Sequence, residues 1–397
     1  MIPALTKRMI RETDPRLLIK FLYAAGWKGR RAVNKFRKKA ETGNPVPAFL
    51  FISVTNRCNL SCQGCWVSST NPSQSLPPEK LDEVITQSKS YESSFFGILG
   101  GEPLLYEGLF DIIARHPDCY FQLFTNGLLL DDATAEKMRE LGNVTPLISV
   151  EGREAVSDVR RGGKNVYTQT MDAIAACRRH KLVTGVATSV CKSNIDDLVS
   201  YDFIADLVQQ GAHYLWYYIY RPVGPNPAPE LALSQDEIIR LRRFMVDARC
   251  TEPIVIIDAY WDHDGNALCP AATGISHHLN PAGDIEPCPP IQFSCDNISD
   301  EASVIDILEN STFLQDFHDQ ICSTTRGCVL LENPSFLKSF LESHNAGDTS
   351  GRGTAYEELA AMTPRPDHHI PGRQIPEKHW LYRYAKKNWF FGFGAYG

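Results

Sequence analysis

The 397-residue chain has no run of eighteen apolar residues, so no membrane-spanning helix is expected. It shows no secretory signal either: Lys20 interrupts the one early apolar stretch, LLIKFLYAAGW, and no cleavage site follows. No internal repeat of solenoid period is present, which excludes a stacked-repeat architecture. No nucleic-acid-binding module is recognisable and the centre of the chain is strongly acidic, so no nucleic-acid partner is expected. The smallest gap is the most telling. The stretch CNLSCQGCW, residues 58–66, carries three cysteines and has no fourth beside them.

The twelve cysteines would fit a disulfide framework only in a secreted chain. A reducing, cytoplasmic setting fits better, and there clustered cysteines are more often metal ligands. The net charge of -7 hides an asymmetry. Residues 1–45 hold twelve Lys/Arg against three Asp/Glu, residues 365–397 six against two, and the middle 22 against 42. An acidic body thus carries two basic ends.

Asp14 and Pro15 read as the N-cap and first turn of a basic amphipathic helix that is expected to break at Gly26, with a second basic helix through RRAVNKFRKKA. From residue 48 apolar strands alternate with helical stretches: AFLFISV, PPEKLDEVITQSKSY, SFFGILGGEP, then YFQLFTNG, DDATAEKMRELG, TPLISVEG, YTQTMDAIAACRRH, VTGVATSV and, after another helix, YLWYYIYRPVG. Six such units predict an α/β fold with a parallel sheet, either a barrel or an open doubly wound sheet. Ligand sites in both lie at the C-terminal strand ends. The three cysteines, GGEP, TNG and SVEG follow the first four strands in turn, so one pocket is expected to collect them.

Cys58, Cys62 and Cys65 are separated by three and two residues. A structural zinc site normally uses two close pairs, and iron–sulfur clusters usually take four thiolates. Three thiolates on a cubane leave one iron open to a group that is not protein. The triplet, followed by Gly100, Gly101, Glu102 and Pro103, resembles the radical S-adenosylmethionine superfamily. That resemblance, over roughly residues 48–225, implies a partial (β/α)6 TIM-type barrel. It implies a [4Fe-4S] cluster on Cys58, Cys62 and Cys65 that binds S-adenosylmethionine, a low-potential ferredoxin- or flavodoxin-type electron donor, and reductive cleavage to a 5'-deoxyadenosyl radical that abstracts hydrogen from an unactivated carbon. It assigns the cofactor to Gly100, Gly101, Glu102 and Pro103, where a backbone without side chains is expected to approach the methionine amino group, to Ser149 and Glu151 near the ribose, to Arg161 of DVRRG at the methionine carboxylate, and to Asn126. Asn194 occupies a less specific position of the same pattern. The family often has an aromatic residue just before the third cysteine; here Gly64 stands there and Trp66 follows, which leaves the adenine contact unassigned.

Downstream, Cys269 and Cys288 frame a stretch with Gly283 between them, thirteen and four residues away, that resembles the opening of SPASM and Twitch auxiliary-cluster modules, with NPAGDIEPC as a hairpin. The resemblance implies one auxiliary [4Fe-4S] cluster on Cys269, Cys288, Cys322 and Cys328, with Cys295 as the substitute; zinc on the same thiolates is the alternative. Cys119, Cys177, Cys191 and Cys250 read as buried small hydrophobes, and His277 and His278 as structural.

The expected organisation is a basic helical extension at 1–45, the barrel at 46–255, a small cysteine-rich module at 256–345 and an extended tail at 346–397. The basic N-terminal helices and the aromatic end, Trp380 to Tyr396, suggest docking to a membrane surface or a partner, or else packing on the acidic body. A lipid, isoprenoid or tetrapyrrole-like substrate is favoured over a peptide, because the 45 residues ahead of the barrel are short for a leader-binding domain. The competing class is a noncatalytic iron–sulfur or zinc protein for electron transfer or scaffolding.

Overall fold

One sheet of nine strands organises the chain, whose computed structural model describes residues 1–41, 46–69, 73–298 and 303–388. Six strands follow one another as parallel neighbours: β1 (Phe49–Ser53), β2 (Phe95–Leu99), β3 (Tyr120–Thr125), β4 (Val144–Ser149), β5 (Gly185–Val190) and β6 (Tyr214–Ile219). A doubly wound sheet would reverse direction at a switch point. This order runs monotonically, β7-β6-β5-β4-β3-β2-β1-β8-β9, which is the winding of a barrel left open at one seam. Crossover helices such as Pro78–Ser90, Asp132–Leu141 and Val166–Arg179 cover the outside, each presenting an apolar face to the sheet. β7 (Val255–Ile257) extends the β6 edge, and β8 (Ser276–Leu279) pairs parallel with β1 from the other side. β9 (Ile285–Glu286) then folds back antiparallel on β8 through the turn at Asn280 to Gly283. Gly283 adopts φ +92° there, and Asn280 Oδ1 accepts from the Ala282 and Asp284 amides, so the NPAGDIEP stretch is the expected hairpin.

The N-terminal segment departs from expectation at Gly26. Asp14 caps as predicted, accepting from the Arg16 amide at 2.9 Å, but the helix Pro15–Phe21 continues through a π-helical stretch, Leu22–Lys28, into Gly29–Ala40. Ala24, Ala25, Gly29, Ala32 and Val33 are buried along this run. Small residues let it lie close against the barrel, and that packing outweighs the local helix-breaking tendency of one glycine.

Both basic ends pack on the acidic body. Phe21 meets Tyr120 edge-on at 5.5 Å, and Val33 and Phe36 cluster with Phe49, Phe95 and Tyr120, the first residues of β1, β2 and β3. The N-terminal helices therefore close the end of the barrel opposite the loops that bear the cysteines. At the other terminus Tyr382 Oη accepts from the Ile256 amide of β7 at 2.9 Å. Lys386, Arg242, Arg249, Asp258 and Glu377 form a fully buried ionic cluster that holds the helix Trp380–Asn388 to the helix Gln235–Thr251. The aromatic stretch WFFGFGAY lies outside the described residues. Among the described residues no helix is long and apolar enough to cross a membrane.

Candidate functional site

The loop after β1 is laced to its neighbours by backbone. Gly101 N donates to Thr55 O at 2.8 Å and Glu102 N to Arg57 O at 2.7 Å. A Cβ on Gly100 would stand 2.5 Å from Thr55 O, and one on Gly101 2.2 Å from Arg57 O. The two glycines are thus required by the approach of two loops to each other. Glu102 does not open into the cavity. Its buried carboxylate accepts from the Leu104 amide, Thr125 Oγ1 and the Asn126 amide at 3.0, 2.8 and 2.7 Å, tying the ends of β2 and β3 together, while Pro103 opens a short 3-10 turn. Burial raises the Glu102 pKa against the pull of those donors.

The other side of the cysteine loop is held by the helix Glu154–Arg161. Gln63 N donates to Arg160 O at 2.9 Å and Arg160 Nη1 to Gln63 O at 3.1 Å, and Gly162 leaves no room for a Cβ beside Ser61 O. Cys58, Cys62 and Cys65 are partly buried, and burial pushes all three thiols up, Cys65 to about 12. Cys58 and Cys65 also feel a neighbouring thiol and Cys62 the Glu151 carboxylate, while Arg161 opposes the rise in all three. Arg161 itself is buried with no hydrogen-bond partner for Nε. Burial disfavours its charge, but the three thiols and Glu151 outweigh burial and hold it protonated.

Asn126 Nδ2 donates to Asn59 Oδ1 at 2.7 Å and lies 4.0 Å from Cys58 Sγ. Glu151 accepts from the Ser189 amide and from Asn194 Nδ2, with Arg160 Nη2 at 3.9 Å. Ser149, Glu151, Arg160 and Arg161 line a cavity of about 370 Å³ together with Cys62 and Cys65. Gly64 has φ +68°, and a Cβ there would meet Tyr220 Oη at 2.1 Å. The ring of Tyr220, from the end of β6, fills the space an aromatic side chain at position 64 would need. Trp66 also lines the cavity and lies edge-on to His278 at 5.4 Å. His278 is buried between Ser53 Oγ (2.8 Å) and Glu286 Oε2 (2.6 Å), a structural placement.

The same cavity reaches Cys269, Cys288 and Cys328. Burial raises the Cys269 and Cys288 thiols, and neighbouring thiols of the group add to the rise. Cys322 stands apart from the cavity lining: its thiol donates to Ala272 O at 3.3 Å, three residues beyond Cys269. Cys295 donates to His344 O at 3.4 Å. Cys119, Cys177 and Cys191 are buried and Cys250 partly so. Among the described residues no three His, Cys, Asp or Glu side chains stand in metal-coordinating geometry; the two thiol groups are gathered without being closed into a cage. Sequence reading missed Arg221. Its Nε donates to Cys328 Sγ at 3.1 Å, and its Nη1 to Ile219 O at 3.0 Å and Tyr260 Oη at 3.2 Å.

The donor chemistry fits the groups the family implies. Three thiols on one loop suit an iron–sulfur cluster. A buried cation with an unused donor beside them suits an anionic ligand group, since such a charge is costly without a partner.

Comparison with known proteins agrees. The Radical SAM superfamily model matches residues 52–203. The sporulation killing factor maturation protein SkfB of Bacillus subtilis is 26% identical over 233 residues, 56% of this chain and 55% of that protein. Pre-heme d1 synthase of Dinoroseobacter shibae is 27% identical over 187 residues, 46% of each. The chain thus spans about half the length of these curated relatives. Streptococcus suis SuiB bound to S-adenosylmethionine superposes with a TM-score of 0.59 at 15% identity, over 73% of this chain and 71% of that one, a likeness of fold. Residues 52–203 are a radical SAM domain, a family for which a [4Fe-4S] cluster and S-adenosylmethionine are the implied cofactors.

Proposed function

We propose that the chain is a radical S-adenosylmethionine enzyme acting on a small, largely apolar molecule. The observation that carries this reading is the three-thiol loop beside a buried arginine with an unused Nε donor, on a cavity that continues to a second thiol group. When bound, the cluster and cofactor supply a one-electron carbon–sulfur cleavage and abstraction of hydrogen from an unactivated carbon.

In this reading Cys58, Cys62 and Cys65 hold the cluster, and Arg161 takes the cofactor carboxylate. The backbone from Gly100 to Pro103, kept in place by Glu102, meets the amino end. Ser149 and Glu151 orient the ribose, with Glu151 fixed by Asn194 and Ser189. Asn126 steadies the cysteine loop through Asn59. Cys269, Cys288 and Cys328 hold an auxiliary [4Fe-4S] cluster, with Cys322, on the far side of the Cys269–Ala272 turn, as its fourth ligand. Electrons come from a low-potential ferredoxin- or flavodoxin-type donor in the cytoplasm.

Phe51, Phe124, Trp216 and Tyr218 pack into an aromatic floor, with ring centroids 5.3 to 6.5 Å apart and Trp216 stacked on Tyr218. Such a floor favours a lipid, isoprenoid or tetrapyrrole-like body over a peptide and excludes water from a reactive site. We extend the reading to docking on an anionic membrane surface. Ile19, Leu22, Tyr23 and Trp27 expose 67, 54, 53 and 61% of their surface along one side of the N-terminal helices. Arg30 Nη1 meets Tyr384 Oη at 3.4 Å, which brings exposed Tyr384, and with its helix Trp380, to the same region. The face lies at the closed end of the barrel, so docking leaves the cysteine loops open to the aqueous side.

The test is anaerobic reconstitution with iron and sulfide, then dithionite and S-adenosylmethionine. 5'-Deoxyadenosine is expected from the natural chain and none from the variant Cys58→Ala, Cys62→Ala, Cys65→Ala; equal formation by both refutes the assignment.

A further inference from the structure

The Tyr218 hydroxyl on β6 and Arg221 just beyond its end are two polar groups of the cavity wall that no role above employs. Alternation along β6 turns Trp216 and Tyr218 inward. Tyr218 Oη is buried and has no hydrogen-bond partner among the described residues. It lies within electrostatic reach of the Tyr260 hydroxyl. Buried hydroxyls are almost always satisfied, so an orphan facing a cavity marks a place where something else supplies the acceptor.

Arg221, three residues on, points into the same space. Its orientation is locked. Nε is committed to Cys328 Sγ, Nη1 to Ile219 O and Tyr260 Oη, and the guanidinium lies 5.2 Å from the centroid of the Tyr260 ring. Tyr260 is fixed in turn, because its hydroxyl accepts from the Ile219 amide at 3.0 Å. That leaves Nη2 of Arg221 without a partner among the described residues. A planar guanidinium with two edges anchored and one arm free is pre-organised to receive an oxygen. Phe124 and Trp216 pack against Tyr218, and Val223 lines the cavity two residues beyond Arg221, so the lining beside the two donors is largely apolar.

We propose that Tyr218 and Arg221 form a head-group site that binds the carboxylate of an otherwise apolar substrate, whose body lies on the aromatic floor. Arg221 is bonded to Cys328, whereas Arg161 stands by Cys58, Cys62 and Cys65, so the head-group site is distinct from the place assigned to the cofactor carboxylate. The inference rests on the reading of this cavity as a substrate site and narrows the substrate class to apolar carboxylic acids.

Isothermal titration of the full chain, with clusters reconstituted and S-adenosylmethionine present, uses decanoate and decanol as probes. The expected result is decanoate binding at least about tenfold tighter than decanol, the size of a charge-assisted contact in an apolar site. Arg221→Met should abolish that preference by weakening decanoate while leaving decanol unchanged, which also reports that the cavity is intact. Arg221→Lys should retain part of the preference, and Tyr218→Phe should reduce it a few-fold. Decanoate binding no tighter than decanol, including no binding of either, overturns the proposal. So does a preference that survives Arg221→Met. 5'-Deoxyadenosine formation in the same preparation judges the enzyme reading separately: cleavage without the preference removes the head-group site, and the preference without cleavage removes the enzyme reading.

Discussion

Replacing Glu377 with Gln should destabilise the fold by several kcal/mol. Glu377 Oε1 accepts from Arg242 Nη1 at 2.7 Å and from Arg249 Nη1, with Lys386 Nζ at 3.4 Å, and every side chain in the cluster is fully buried. Two carboxylates, Asp258 and Glu377, face three cations, so removing one carboxylate leaves a strong excess of buried positive charge. Breaking a buried pair by deleting one partner costs about 3–5 kcal/mol. A second route gives a similar size. Burial raises the Glu377 pKa, but Arg249, Arg242 and Lys386 overcome it and bring it down to about 2 from an ordinary 4.5. At about 1.36 kcal/mol per unit that difference is roughly 3 kcal/mol. With an unfolding entropy of about 2.1 cal/mol/K per residue, 3–5 kcal/mol corresponds to a drop of about 4–6 °C in Tm for a chain of this length. The folded pKa is depressed, so the stabilisation is full above pH 4.5 and is lost as pH falls toward 2. Differential scanning fluorimetry should therefore show the wild-type and Glu377→Gln curves converging in that window. A Tm change below about 1 °C at pH 7 would refute the account, since the cluster would then add nothing over neutral hydrogen bonds.

For the auxiliary group, Cys269→Ala should lower iron by about four atoms per chain, and Cys322→Ala should do the same if Cys322 is the fourth ligand. Unchanged iron in Cys322→Ala would leave three thiolates facing the cavity. For docking, flotation with vesicles containing phosphatidylserine should fall severalfold on Trp27→Ser with Tyr23→Ser, and the remainder should weaken in high salt. Equal flotation of wild type and variant would remove the membrane from consideration.

Much of the barrel was legible because its determinants are local. Each strand is an apolar run followed by a polar strand end, and each crossover helix has a recognisable start and stop, so the six units and the strand-end gathering of the cysteine loop, Asn126, Ser149 and Glu151 follow from period and order. What depends on contacts between distant segments was not legible. β8 adds to β1 across more than two hundred residues, and its four residues carry no helical or alternating signal of their own. Gly26 reads as a breaker until the barrel end is there to pack on. Gly100 and Gly101 read as ligand-approach glycines, and the further demand on them from the Thr55–Arg57 backbone appears only once the two loops are side by side. Arg221 is one arginine in an unremarkable YRPVG; its role exists only where Cys328 and Tyr260 arrive.

Gly64 and Tyr220 carry a consequence for how such chains diverge. The aromatic ring beside the third cysteine is supplied here from β6, and the glycine's missing side chain makes space for it. Moving the ring back to position 64 by one substitution produces a collision, and removing it from position 220 alone opens a hole beside the cysteine loop. The two positions are interlocked, so any lineage passing between these arrangements must cross an unfavourable intermediate or change both at once. A catalogue that scores only the residue before the third cysteine would file this chain as lacking a ring that it has supplied from the opposite strand.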